Sequence, residues 1–171
     1  SDAQSRAQVL CDRHDMGVVL DGVRWDTTAR AKRRAAAVRR PQVPGAQVGV
    51  PIDWDETPFE RCPEVTLVLT LAAATTLAPT VWDGVLLHEL VHIEQFQQYG
   101  VTDHGPAFRS RAAAVDAPLT VPRFATPRYV LRCSVCETTV AERYRRSTVV
   151  SERHRYRSGC CDAPLMLIER R

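Results

Sequence analysis

The stretch Val85-Leu86-Leu87-His88-Glu89-Leu90-Val91-His92, with His104-Gly105-Pro106-Ala107-Phe108 beginning twelve residues after its last histidine, decides how this chain is read. On a helix, His88 and His92 are four apart and share one face, about 6 Å along the axis. Two imidazoles so placed can hold one Zn2+, and Glu89 beside them can act as general base toward a metal-bound water. Chance places H, E and H at these offsets with a probability on the order of one in a hundred for such a chain. Val85, Leu86, Val91, Phe96 and Tyr99 give the segment a helical apolar stripe. Thr80 as N-cap, with Asp83 three residues later, predicts a start near Val81, and Gly100 after Tyr99 predicts the end.

Downstream, Pro106 suits the first turn of a second helix, expected to run to about Val115. His104, just before it, can then point back toward the histidine pair. A catalytic zinc site wants three protein ligands and an open fourth position. His104 is the candidate third ligand, and only His14 and His154 of the five histidines lie outside the constellation.

Upstream, Asp2 to His14 has helical spacing, with Ala3, Ala7, Leu10 and Cys11 on one side. Gly17 to Trp25 reads as strand, turn, strand, with Asp21-Gly22 as the hairpin signal. Arg30 to Val38 stays open between helix, which its alanines favour, and strand. Arg40 to Pro63 contains five prolines and two glycines and reads as a connecting loop. Glu64 to Leu71 alternates and is rich in β-formers, so a strand is expected, leading directly into the metal helix. Such a strand, bordering a protease cleft, could pair with an extended substrate backbone.

The remainder of the chain differs in character. Residues 1–122 hold 12 basic and 15 acidic side chains, a net of −3, whereas residues 123–171 hold 11 arginines and 5 acids, a net of +6. A domain at 1–122 and a basic module at 123–171 are therefore expected. Clustered positive charge suits a polyanion, most simply nucleic acid. The alternative is a solvated arginine surface, since Lys32 is the only lysine. Four of six cysteines fall in this module, as Cys133-x-x-Cys136 and the adjacent Cys160-Cys161. Without a signal-like start, that grouping reads as a metal site rather than as disulfides. Cys11 and Cys62 are expected to be buried, inert thiols. Arg128 to Cys136, Thr138 to Tyr144, Arg153 to Arg157 and Leu165 to Ile168 are expected as strands of a small ribbon. Its core would be too small to stand alone, so metal would supply much of its folding free energy. No apolar run has the length of a membrane span, and the expectation is a soluble, cytoplasmic protein.

In this order, His-Glu-Leu-Val-His, the spacer to His-Gly-Pro-Ala-Phe, the proline-rich link, and Tyr129…Cys133-Ser-Val-Cys136 before a second cysteine pair resemble the SprT-like (Spartan-type) zinc metalloproteases. Trp25 to Arg34 also resembles the family's strand segment ahead of its catalytic helix. The likeness covers about residue 20 to the end and is strongest over 85–108. It implies an α+β fold, a zincin-like protease domain followed by a small zinc β-ribbon. His88, His92 and His104 would be the catalytic zinc ligands and Glu89 the catalytic carboxylate. The implied activity is DNA-stimulated cleavage of DNA-bound or DNA-crosslinked proteins, which implies DNA and protein substrates as partners and a nucleoid-associated location, or a virion if virus-encoded. One departure stands out. Ser158-Gly159-Cys160-Cys161 occupies the place of a second Cys-x-x-Cys, so Cys161 matches the last ligand and Ser158 replaces the other. Cys160 and His154 are the open substitutes, a ribbon that has lost its metal or a redox-active Cys160-Cys161 pair being the alternatives. The competing reading for the whole chain is a non-catalytic, zinc-stabilised nucleic-acid-binding or structural protein that keeps the fold.

Overall fold

A computed structural model describes residues 2–31, 33–121 and 124–170, and the chain divides into two compact units, 1–124 and 125–171. The expected boundary at 122/123 falls on Pro122 and Arg123, outside the described residues. The architecture is mixed α+β, with five α-helices and two three-stranded sheets among the described residues.

The first unit opens with α1 (Asp2–Arg13), which buries Ala7, Leu10 and Cys11. Its strands are β1 (Val23–Thr28), β2 (Ala36–Arg39) and β3 (Val65–Thr70), followed by α2 (Leu71–Thr76), α3 (Pro79–Tyr99) and α4 (Pro106–Ala114). The sheet order is β1-β3-β2. β3 runs parallel to β1, from Val23 opposite Val65 to Thr28 opposite Thr70, and antiparallel to β2, from Ala36 opposite Leu69 to Arg39 opposite Thr66.

Three expectations change here. Asp21-Gly22 makes no hairpin: residues 20–22 form a 3-10 turn, and the preceding segment lies along α3. Both amide groups of the Gln97 side chain engage Val19, donating to its carbonyl and accepting from its N–H, each at 2.9 Å, which removes Val19 from any strand ladder. The open segment 30–38 resolves as strand from Ala36. Thr70 fixes its entry, its N–H donating to the Ala35 carbonyl at 2.8 Å and its hydroxyl to the Arg34 carbonyl at 2.6 Å. Pairing with β3 thereby overrides the helix preference of three alanines. β3 does not lead directly into the metal helix, since α2 intervenes, and it lies in the middle of the sheet. The strand packed beside α3 is β2, an edge.

The histidine-bearing helix α3 begins earlier than Val81. Pro79 occupies its first turn, where a fixed φ and a missing N–H do no harm, and Thr80 makes no cap. Asp83 instead binds Arg6 of α1 through both carboxylate oxygens. The helix closes on Gly100 at φ 71°, whose N–H reaches the Phe96 carbonyl. A side chain there would be strained by that φ and would meet Ile52 at 2.6 Å. Leu87, Leu90 and Ile93 are buried along with Val85, Leu86, Val91 and Phe96 of the expected stripe, while Tyr99 is only half-buried, so the middle of α3 is enclosed on more than one face.

The second unit contains β4 (Tyr129–Cys133), β5 (Thr139–Arg143), α5 (Thr148–Ser151) and β6 (Leu165–Glu169), in sheet order β5-β4-β6, all antiparallel. Residues 153–157, expected as a strand, form a 3-10 turn at Arg153–Arg155, and only Arg157 makes a bridge, to Pro164. The unit's buried cluster is Tyr129, Leu131, Val150 and Leu165. That is a very small core for a unit of this length.

Candidate metal centres

α3 carries His88 and His92 on its buried middle, and the loop ahead of α4 brings His104 to them. The Nε2 atoms converge: His104 lies 3.2 Å from His88 and 3.1 Å from His92. Three ligands at about 2.0–2.1 Å from a tetrahedral Zn2+ would stand about 3.3 Å apart, so the set has the right size. The His88 Nδ1–H donates to the Pro118 carbonyl at 2.8 Å, leaving the Nε2 lone pair for the centre. Burial lowers the His88 pKa and brings that of His92 down to about 3, with the neighbouring imidazoles adding to the effect on both. The Nε2 atoms thus face one another at hydrogen-bond distance, with lone pairs competing for the same space. A cation resolves that conflict, and the donor set fits one.

The frame around the trio was less visible in the sequence. Phe108 is 1% exposed and lies under all three rings, stacked on His92 with centroids 4.3 Å apart and edge-on to His88 and His104. Its place in His-Gly-Pro-Ala-Phe marked it, but the spacing gave it no role. Gln95, one turn beyond His92 and buried, clamps the loop that holds His104. It donates to Asp103 Oδ1 and accepts from the Asp103 N–H, both at 3.0 Å. The same oxygen accepts from the Gly105 N–H, and a Cβ on Gly105 would meet the Asp103 carboxylate at 2.7 Å. Glu94 forms a two-point ion pair with Arg111 at 2.6 and 2.9 Å, tying α3 to α4. The Nδ1 of His92 is buried with no hydrogen-bond partner among the described residues.

Glu89 is 6% exposed. Burial raises its pKa to about 7, opposed by a hydrogen bond from the Val38 backbone and by the charge of Arg34. The edge strand β2 thus engages the carboxylate that follows His88 on α3.

In the second unit, Cys133, Cys136, Cys160 and Cys161 bring their Sγ atoms within 4.8 Å of one another, near the separations of about 3.8 Å of a tetrahedral Zn2+ site with four thiolates. Cys136 and Cys160 are 3.4 Å apart. His154 stands outside this group. Two similar turns build it. In the first, the Cys133 N–H donates to the Thr138 carbonyl, the Glu137 N–H to the Cys133 carbonyl, and Glu137 has φ 57°. In the second, the Ser158 N–H donates to the Ala163 carbonyl, the Asp162 N–H to the Ser158 carbonyl, and Asp162 has φ 48°. Ser158 therefore stands where Cys133 stands, Cys161 matches Cys136, and Cys160 matches Val135, the exposed tip of its turn.

Ser158 remains part of the centre. It is 2% exposed, donates to Cys133 Sγ at 3.2 Å and accepts from the Ala163 N–H at 3.1 Å. The Cys136 backbone, and next the Ser158 hydroxyl, bring Cys133 down to about 6, while the neighbouring thiols, Cys136 first, push Cys161 up to about 12. Cys136 is lowered too, by its hydrogen bonds with Thr138, whereas Cys160 is raised like Cys161, first by Cys136, so the first turn favours thiolates and the second resists them until a cation joins the four. Of the remaining cysteines, Cys11 is buried and pushed up to about 11 by that burial. Cys62 is only half-buried, because the proline-rich loop that carries it lies near the surface.

The chain matches no protein-family model and no curated protein. Among the described residues, no helix is long and apolar enough to cross a membrane.

Proposed function

We propose that the chain is a zinc metalloendopeptidase with a zincin-like, SprT-like catalytic domain and a zinc ribbon, acting on proteins associated with DNA. The observation that carries this reading is the convergence of three Nε2 atoms at a helix that also buries Glu89, the residue after His88. His88, His92 and His104 would hold the catalytic zinc, and Cys133, Cys136, Cys160 and Cys161 a structural one. Zinc bound by the three imidazoles supplies Lewis acidity toward a water and a scissile carbonyl. Glu89 takes the proton of the attacking water and returns it to the leaving amine. The Val38 backbone orients that carboxylate, and the Pro118 carbonyl holds the His88 ring in the tautomer that leaves Nε2 free. A carboxylate at this position favours catalysis over a purely structural metal, because three imidazoles bind zinc without it.

DNA association rests on the second unit. Arg145, Arg146, Arg153 and Arg157 are exposed there, and none has a carboxylate partner among the described residues. Such unpaired cations suit phosphates.

The test is Glu89→Gln. We expect metal content to be unchanged while cleavage of protein in the presence of DNA falls by about 10²–10⁴, the range for removing a general acid–base. Full activity of this variant, with chelator abolishing it, would refute the assignment of Glu89.

A further inference from the structure

We propose that the arginines of β2 and its approach, Arg33, Arg34 and Arg39, select polypeptide segments that carry acidic side chains and present them to the histidine centre. The proposal rests on the peptidase reading and adds a substrate class to it.

Three observations converge on this strip. Residues 30–40 hold six of the twelve basic side chains of residues 1–122, and no Asp or Glu occurs between Asp26 and Asp53. This local concentration stands against a net charge of −3 for residues 1–122. Arg33, Arg34 and Arg39 are exposed, and no carboxylate pairs with them among the described residues. Arg40 differs: it donates to the Thr102 hydroxyl at 3.0 Å and lies over the Phe96 ring, so it serves packing.

Position gives the charge its meaning. β2 pairs with β3 on one side only, and its Val38 backbone touches Glu89. The Ala35 carbonyl points inward to β3, so backbone groups of Ala36 and Val38 alternate outward, toward the unpaired edge. That edge offers an extended polypeptide the N–H and C=O of Ala36 and the C=O of Val38, the Val38 N–H being engaged by Glu89. Between the arginines lie only Ala35, Ala36, Ala37 and Val38, small side chains that leave the edge open. Arg34 precedes the strand and Arg39 ends it, five residues apart and so at most about 17 Å, which brackets up to about five residues of a bound segment. The charge of Arg34 already reaches Glu89, and that of Arg40 reaches His92. Asp103, whose charge also reaches His92, is engaged by Gln95 and Gly105 and does not neutralise the strip. A row of backbone donors and acceptors flanked by cations matches an acidic peptide. Phosphates of a nucleic acid would use the cations and leave the row unmet.

The experiment uses the full chain loaded with zinc. Fluorescein-labelled twelve-residue peptides, identical except for Glu, Gln or Lys at positions flanking the centre by two to three residues, are titrated against Glu89→Gln, which does not turn over. They are then offered to the wild type as substrates. The Glu peptide is expected to bind about 10-fold tighter than the Gln peptide at low salt, with the gap closing as ionic strength rises. It should also have the highest kcat/KM. In Arg34→Glu/Arg39→Glu, checked for metal content and circular dichroism, the order should invert toward the Lys peptide. Equal affinities for the three peptides, no binding by any, or no inversion in the charge-reversed chain would overturn the proposal. So would an oligonucleotide that binds this strip while the Glu peptide does not. Cleavage without charge preference removes only this inference. Charge-selective binding with no cleavage of any peptide removes the peptidase reading and leaves the acidic-segment surface standing.

Discussion

The two metal centres use opposite supports. The histidine trio sits on a 21-residue helix whose middle is enclosed, over a buried phenylalanine, with the loop of its third ligand clamped by Gln95. The cysteine group sits on two tight turns of a unit whose core is four side chains, and three of its four thiols are exposed. The first scaffold can fold before its ion arrives. The second would depend on an ion for its shape. The comparison teaches that a ligand set reveals chemistry, whereas the surrounding core decides whether metal binding is also folding.

Chelation gives the widest separation between them. On removing metal from the full chain, amide protection across β4, β5 and β6 should collapse, while α3 and β3 remain protected in hydrogen exchange. Structural zinc in small modules contributes on the order of 10 kcal/mol, as much as the whole burial of four apolar side chains at about 1.5–3 kcal/mol each, so its loss would remove about half of what holds such a unit. Equal loss of protection in both units would end the comparison.

The second turn can be probed by moving one sulfur. Cys160→Ser should weaken ribbon metal at least about 10-fold, and Ser158→Cys in the same chain should restore it, since residue 158 already occupies the Cys133-like position. Competition with a colorimetric zinc chelator reads both. Failure of the second substitution to rescue would show that the paired turns are not equivalent.

In the first unit, Gln95→Ala should weaken metal at the histidine centre by about 10-fold, within the range for groups that orient ligands, without unfolding the helix. Isothermal titration with Zn2+ beside a far-ultraviolet spectrum checks this.

The smallest effect belongs to the Arg6–Asp83 pair. The Arg6 hydrogen bond holds the Asp83 carboxyl below its ordinary value. A carboxylate depressed by folding stabilises the native state above its unfolded pKa, about 3.9, and that contribution is lost as pH falls through the lower folded value. Asp83→Asn should therefore lower the melting temperature slightly near neutral pH. Its difference from wild type should shrink as the pH falls below about 4. A difference independent of pH would mean that the pair contributes by packing rather than charge.

The histidines, Glu89 and their helix were legible because they are local: i and i+4 on a 3.6-residue period share a face whatever the rest of the chain does. His104 was reachable for the same reason, through the short loop and Pro106 that fix the next helix. The Cys-x-x-Cys turn was legible too, since its hydrogen bonds span five residues. Other features depended on distant partners. Ala36 to Arg39 became strand, entered through the bonds of Thr70 to Ala35 and Arg34, and Gly17 to Gly22 lost its hairpin to Gln97, seventy-eight residues from Val19. Residues 153–157 read as strand by composition yet form a helical turn, with one bridge at Arg157.

The sequence by itself determined which atoms could meet a metal, because ligand identity and short spacing are properties of a local segment. Tertiary structure alone decided that β2 forms the edge beside Glu89, that Phe108 supports all three imidazoles, and that Ser158 backs Cys133 while Cys160 reaches in from a turn's tip. Those arrangements arise from sheet pairing and packing between residues far apart in the chain, and no local period encodes such contacts.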